Sequence, residues 1–139
     1  MWLDYNLIVE QIAAQVTGLA RVDEAASLDA LSRGGVIPSP SAWVVPIADQ
    51  VAGPQGMGVG RILSSRFGVI LIARNVADPK GGEAIQTLRT WREAVYAALN
   101  RWRPDTCWSP ILYQRGSLWT IREATYWWID EYQTQLGLQ

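Results

Sequence analysis

The feature of this sequence that most constrains its fold is a change of hydrophobic period midway along the chain. From Arg61 to Asn75, apolar side chains are concentrated in a run that suits a buried β-strand, and Gly68 predicts a bulge or bend within it. From Gly82 to Arg103, apolar residues recur at helical spacing, and Pro104 is predicted to end the helix. This order predicts an α+β fold: a mostly antiparallel sheet centred on the long strand, with a long helix packed on one face. The predicted helix face comprises Ala84, Leu88, Trp91, Val95, Ala98 and Trp102, with Ile85 and Leu99 flanking it.

An N-terminal helix is predicted behind Asp4, whose side chain can cap the first turn. Gly18 stands where helices commonly stop. The apolar positions at helical spacing are Tyr5, Ile8, Val9, Ile12 and Val16.

Three short elements are predicted before residue 49. They are a strand over Leu19–Val22, a helical turn over Leu28–Leu31 capped by Ser27, and a strand over Ala42–Ala48. Pro46 lacks a backbone donor, which favours a sheet edge or a strand end.

A glycine-rich segment follows, in which Asp49–Gly60 contains four glycines and one proline. Because such a segment holds regular structure poorly, we predict a long, mobile hairpin connection. The turn Asp78–Gly82 would then connect the central strand to the long helix.

The last third of the chain predicts an antiparallel meander. Its strands are Ile111–Gln114, Leu118–Arg122 and Thr125–Gln133, and the Arg115-Gly116 pair predicts a tight turn between the first two.

The length of 139 residues suits a single domain spanning 1–139. A hydrophobic fraction of 49% with 18% charged residues is typical of a folded protein rather than a disordered one. The lone Cys107 excludes an internal disulfide and suits a reducing compartment. No apolar run is long enough for a membrane helix, so we expect a cytosolic origin and no membrane partner.

Charge is unevenly distributed along the chain. Residues 1–60 carry a net −4, residues 61–103 a net +5, and residues 104–139 a net −2. The pattern fits either solvated faces of opposite sign or a self-complementary surface, in which a basic face of one subunit meets an acidic face of the next. The total of −1 argues against general affinity for nucleic acid.

The residues that most enzymes use are missing. The chain has no histidine, which excludes Ser-His-Asp and Cys-His catalysis and the usual zinc sites, and its only lysine, Lys80, lies in a turn. Gly56, Gly58 and Gly60 have neither dinucleotide-binding nor P-loop spacing. We therefore expect no enzyme activity, no cofactor and no metal.

Adjacent Asp130 and Glu131 are the most plausible hydrolytic pair. On a strand, neighbouring side chains point to opposite faces, so these two carboxylates are not expected to converge on one substrate.

Tryptophan is abundant, with eight residues in the chain. Both core packing and interface anchoring would explain this number. Trp127 and Trp128 must face opposite sides of their strand, so at least one of them should lie outside the main core. Six tryptophans lie in the C-terminal part: Trp91, Trp102, Trp108, Trp119, Trp127 and Trp128.

The order of these features over residues 40 to 135 resembles the phage tail terminators, small neck proteins that cap the finished tail tube. The resemblance is carried by the segments Pro40–Pro46, Arg66–Val76, Leu88–Trp102 followed by Arg103-Pro104, and Tyr126–Asp130.

The resemblance implies a hexameric ring in the neck of the virion, assembled in the host cytoplasm. Such a ring docks on the last ring of the tube protein, stops polymerisation and offers its other face to the head connector or head completion protein. Genomic DNA would pass through its lumen without specific binding. The predicted tube or neck contacts are Val51, Met57, Val59 and Arg61, and the predicted subunit contacts are Arg66, Arg74, Trp127, Trp128 and Asp130.

Two other classes stay open. One is a different phage neck or minor tail component, such as a head-tail joining protein. The other is a small binding module or a carboxylate-dependent hydrolase, which requires a pocket with convergent carboxylates.

Overall fold

The computed structural model describes residues 2–35, 37–52, 61–74 and 82–138, which form one five-stranded sheet and three helices. The strand order is β1-β2-β3-β5-β4, in which only the β1–β2 pair is parallel. The predicted α+β class is confirmed. In chain order the elements are α1 (Tyr5–Gln15), β1 (Arg21–Glu24), α2 (Leu28–Ser32), β2 (Ser41–Ala52), β3 (Arg61–Arg74), α3 (Gly82–Leu99), β4 (Leu112–Arg122) and β5 (Thr125–Leu138).

Strand β3 is the central strand, as its apolar run predicts. It pairs with β2 on one side and with β5 along its whole length on the other. The predicted bulge at Gly68 is wrong, because the irregularity lies in β2, where Ile47 is left without a partner. Gly68 instead leaves room for the side chain of Ile129, since a Cβ at position 68 would lie 2.8 Å from Cδ1 of Ile129.

The main core lies between one face of the sheet and the helices α1 and α3. Their apolar stripes pack on alternate residues of the central strands, which point to the same face. Leu99, predicted as a flanking residue, is fully buried, whereas Trp91 is only partly buried. The core includes Ile8, Ile12, Val44, Phe67, Val69, Leu71, Leu88, Val95, Leu99, Tyr132 and Leu136.

A second, smaller cluster covers part of the opposite face. It consists of Leu31 from α2 and side chains of β2, β3 and β5, including Trp127. Trp128 packs against the main core on the other side. The prediction that these adjacent tryptophans face opposite sides is confirmed, and Trp127 lies outside the main core.

The predicted N-terminal caps of α1 and α2 are confirmed. Asp4 accepts a hydrogen bond from the backbone N–H of Asn6 at 3.0 Å, and Ser27 accepts one from that of Ala30 at 3.0 Å. The first strand is Arg21–Glu24 rather than Leu19–Val22, because pairing with β2 begins at Arg21.

Strand β2 is longer than predicted. It continues to Ala52 and pairs with β3, so residues 49–52 are strand rather than loop, while residues 53–60 lie outside the described residues. Strand β1 pairs only with Ser41–Val44. Pro46 therefore lies where the outer side of β2 has no partner strand within the described residues, which confirms the edge prediction.

The C-terminal prediction of three strands is wrong, since β4 and β5 are two long strands. Their two-residue turn is Glu123-Ala124, with φ of 49° and 61°, as in a type I′ hairpin turn. Arg115-Gly116 lies inside β4. Helix α3 ends at Leu99 instead of Arg103, because Arg101 takes a φ of 68° and its N–H binds the Ile111 carbonyl. Of the predicted 78–82 turn, only Gly82 lies among the described residues.

Replacing Val95 with Asp should unfold the protein. Val95 is 1% exposed within the main core, and an unpaired buried charge costs several kcal/mol against a total stability of roughly 5–15 kcal/mol. Circular dichroism during thermal or urea unfolding measures the change. The matched control is Ala97→Asp at an exposed position of the same helix, which should cost less than about 1 kcal/mol. Equal melting of Val95→Asp and wild type would contradict this assignment of the helix face.

Candidate functional site

The most highly connected polar group in the described part of the chain is the carboxylate of Asp130, which is 2% exposed. It accepts hydrogen bonds from Nε and Nη2 of Arg92 at 2.9 and 3.1 Å. It also accepts hydrogen bonds from the Tyr113 hydroxyl at 3.1 Å and from Nε1 of Trp128 at 3.0 Å. These bonds join α3, β4 and β5, so we name the four residues the Asp130 network.

The Arg92 guanidinium also lies over the Trp128 ring, with Cζ 4.1 Å from the ring centroid. Burial disfavours the charged form of Arg92, but the hydrogen bonds and charge of Asp130 outweigh this effect and raise the pKa of Arg92. Burial and the neighbouring Asp130 charge raise the pKa of the Tyr113 hydroxyl, which therefore stays a proton donor at neutral pH.

Because Gly116 has no side chain, it leaves room for the side chains of the Asp130 network. A Cβ at this position would overlap the Asp130 carboxylate and lie 2.6 Å from the Tyr113 hydroxyl oxygen and 2.9 Å from Nε1 of Trp128. The glycine that predicted a turn is therefore required by a close approach inside a strand.

Glu131 points to the opposite face of the sheet, as the strand argument predicts. It pairs with Arg115 at 2.7 Å and with Arg66 at 3.9 Å. Because Asp130 and Glu131 lie on opposite faces, they do not form a convergent pair for hydrolysis.

A concave space of about 320 Å³ lies beside the network. Its walls include a second carboxylate, Glu93, together with Arg89 and Tyr96. Asp130 is already saturated with donors, so the arrangement holds a charge in place and does not present a free base. The described residues contain no group of metal-ligating side chains. They also contain no helix long and apolar enough to cross a membrane.

Of the four predicted tube contacts, two lie among the described residues. Val51 lies near the end of β2 with 37% of its surface exposed, and Arg61 is the first residue of β3, the strand that pairs with β2. Met57 and Val59 lie outside the described residues.

The predicted subunit contacts occupy different environments. Arg74 and Trp127 line a concavity of about 690 Å³ together with Arg122. The side chain of Arg66 is 39% exposed and faces Glu131. Trp127 and Asp130, at 6% and 2% exposed, are enclosed by their own chain, so a contact with a neighbouring subunit there would require these contacts to open.

Sequence reasoning missed the exposed edge formed by β4. Within the described residues this strand pairs with β5 alone, and several large apolar side chains on it are exposed. The turn predicted at Arg115-Gly116 divides this stretch into two shorter strands, so the sequence does not indicate the full length of β4. The exposed apolar residues are Leu112, Leu118, Trp119 and Ile121, which we name the β4 rim.

The fold and these surfaces define an α+β protein whose polar residues stabilise the chain and whose exposed apolar edges suit contact with other chains. The chain belongs to the phage tail terminator family: the family model described as "Phage tail terminator protein" matches residues 1–139. It is therefore a structural protein of the virion tail.

Among solved structures, the chain is similar to one described as "Virion of native gene transfer agent (GTA) particle". The TM-score is 0.62 at 14% sequence identity, and the match covers 94% of this chain and 92% of the other. This similarity concerns the fold. No curated protein sequence matches the chain.

Replacing Arg92 with Met should destabilise the protein by roughly 3 kcal/mol, because it leaves the Asp130 carboxylate buried without its cation. The matched control is Arg33→Met: the side chains of Arg33 and its partner Asp29 are 78% and 69% exposed, so the expected cost is below about 1 kcal/mol. Urea unfolding measures both changes. Similar losses for the two variants would contradict the structural role of the Asp130 network.

Proposed function

We propose that this protein caps the completed tail tube, stops its polymerisation and provides the surface to which the head is joined. The observation that carries the proposal is the family match, which extends over residues 1–139. The tail tube protein and a head connector or head completion protein are the implied partners.

We propose that it acts as a homo-oligomeric ring, with six as the number of subunits. A ring of identical head-to-tail contacts needs two different complementary patches on each subunit. In the described part of the chain both edges of the sheet lack a further strand, and residues 1–60 and 61–103 carry net charges of opposite sign. Genomic DNA would pass through the lumen without specific binding, in keeping with the net charge of −1.

The tube-facing part is proposed to be the end of the β2–β3 hairpin. Val51 is exposed near the end of β2, shortly before residues 53–60 of the glycine-rich segment, which lie outside the described residues. Arg61, Met57 and Val59 belong to the same proposed contact.

The ring itself is tested by mass. Six chains of 15.5 kDa give about 93 kDa, which light scattering coupled to size exclusion would detect alone or after addition of tube protein. Negative-stain images should show closed rings. A monomer under both conditions would contradict the ring.

Capping is tested by tail length. A phage that lacks this protein should assemble overlong tails that fail to join heads, and a plasmid copy should restore normal virions. Val51→Asp should keep the ring but reduce capping, because it places a charge in an apolar contact. The control is Thr90→Asp on the exposed side of α3, which should restore normal tails. Normal tail length in the absence of the protein, with loss of head joining only, would favour another neck component.

A further inference from the structure

We propose that neighbouring copies of this chain join edge to edge, with the β4 rim of one subunit against the acidic β1–β2 edge of the next. The acidic edge is β1 together with the part of β2 beyond Val44, and it includes Glu24, Ile47 and Asp49. The inference rests on the proposed ring and names the surfaces that would close it.

The β4 rim has the properties of an uncovered interface. Leu112, Leu118, Trp119 and Ile121 are 48%, 39%, 38% and 51% exposed. A long edge strand with exposed apolar side chains is a template for pairing with another chain, and proteins normally cover or blunt such edges. Within β4, the stretch Arg115–Leu118 lies between two register irregularities and pairs regularly with β5. Its outward backbone groups are therefore spaced to pair with a further strand.

The opposite edge complements this rim. Beyond Val44, β2 has no second partner strand within the described residues, and Ile47 is exposed there beside Asp49. Glu24 and Asp49 form no ion pair among the described residues, and the same holds for Arg122 at the end of β4. An apolar rim ending in an arginine thus matches an apolar edge flanked by carboxylates.

The positions of the two edges favour a second copy of this chain as the partner. They lie on opposite sides of the sheet in the order β1-β2-β3-β5-β4, with β4 roughly 19 Å from β1 and roughly 14 Å from β2 at the usual strand spacing. Because each subunit carries both surfaces, the contact is heterologous and can propagate around a ring. Pairing of β4 with β4 would instead give an isolated dimer.

The contact is tested by crosslinking cysteines on the two edges. Ser117 on β4 and Gln50 on β2 are both exposed and point to the same face of the sheet, whereas the native Cys107 is buried. With a short bismaleimide, the Ser117→Cys/Gln50→Cys double variant should give dimers and a ladder of larger species. The matched control, Ser117→Cys/Thr90→Cys, places the second thiol on α3 and should give none. No ladder above the control, or equal dimerisation of Ser117→Cys alone, would overturn the proposal.

A second test introduces charges on the β4 rim at positions where the substitutions should not reduce the stability of the folded subunit. Leu118→Lys/Ile121→Lys should abolish rings and the crosslinked ladder while the melting temperature stays close to that of wild type, since both positions are exposed. The control is Ile85→Lys on α3, which matches Leu118 with 39% exposure and should keep both. Rings that persist in the rim variant would contradict this contact but leave the ring itself intact. A ladder from open filaments would support the contact and contradict the closed ring.

Discussion

The ion pair between Arg92 and Asp130 is the interaction on which the arrangement of helix and outer strands depends. Burying both charges is costly, and the cost is recovered only when the geometry is good and further hydrogen bonds are made. Here Tyr113 and Trp128 supply those bonds, and Gly116 leaves the space for them. The pair therefore connects α3 to β5, and through Tyr113 to β4, on one face of the sheet.

Ion pairs within one subunit account for some of the uneven charge along the chain. The basic segment 61–103 meets the acidic C-terminal part within one subunit, through Arg92 with Asp130 and through Arg66 with Glu131. Part of the apparent complementarity is thus internal. The charges that remain for assembly are those without a described ion pair, such as Arg122 at one sheet edge and Glu24 at the other, where they flank apolar side chains.

The sequence correctly predicted those features that depend on residues close together along the chain. The Asp4 and Ser27 caps, the central strand, the apolar face of α3 and the opposed directions of Trp127 and Trp128 follow from capping chemistry and from the two periodicities. Errors arose where distant residues decide the conformation. Gly116 resembled a turn residue because its requirement, the Asp130 carboxylate, is brought close only by strand pairing. The true turn, Glu123-Ala124, lacks the Asn-Gly signal, and its positive φ values follow from the hairpin that it closes.

The amino-acid sequence alone determined the α+β class, the absence of histidine chemistry and the resemblance to tail terminators, because composition, period and motif order are properties of a linear chain. Only the tertiary structure decided which charged residues are internal and which edges are open. Strand order places β4 at one end of the sheet and β1 with the distal half of β2 at the other. Burial and strand partnership depend on neighbours far apart in sequence, so Asp130 became part of the fold and the β4 rim became the surface available to other chains.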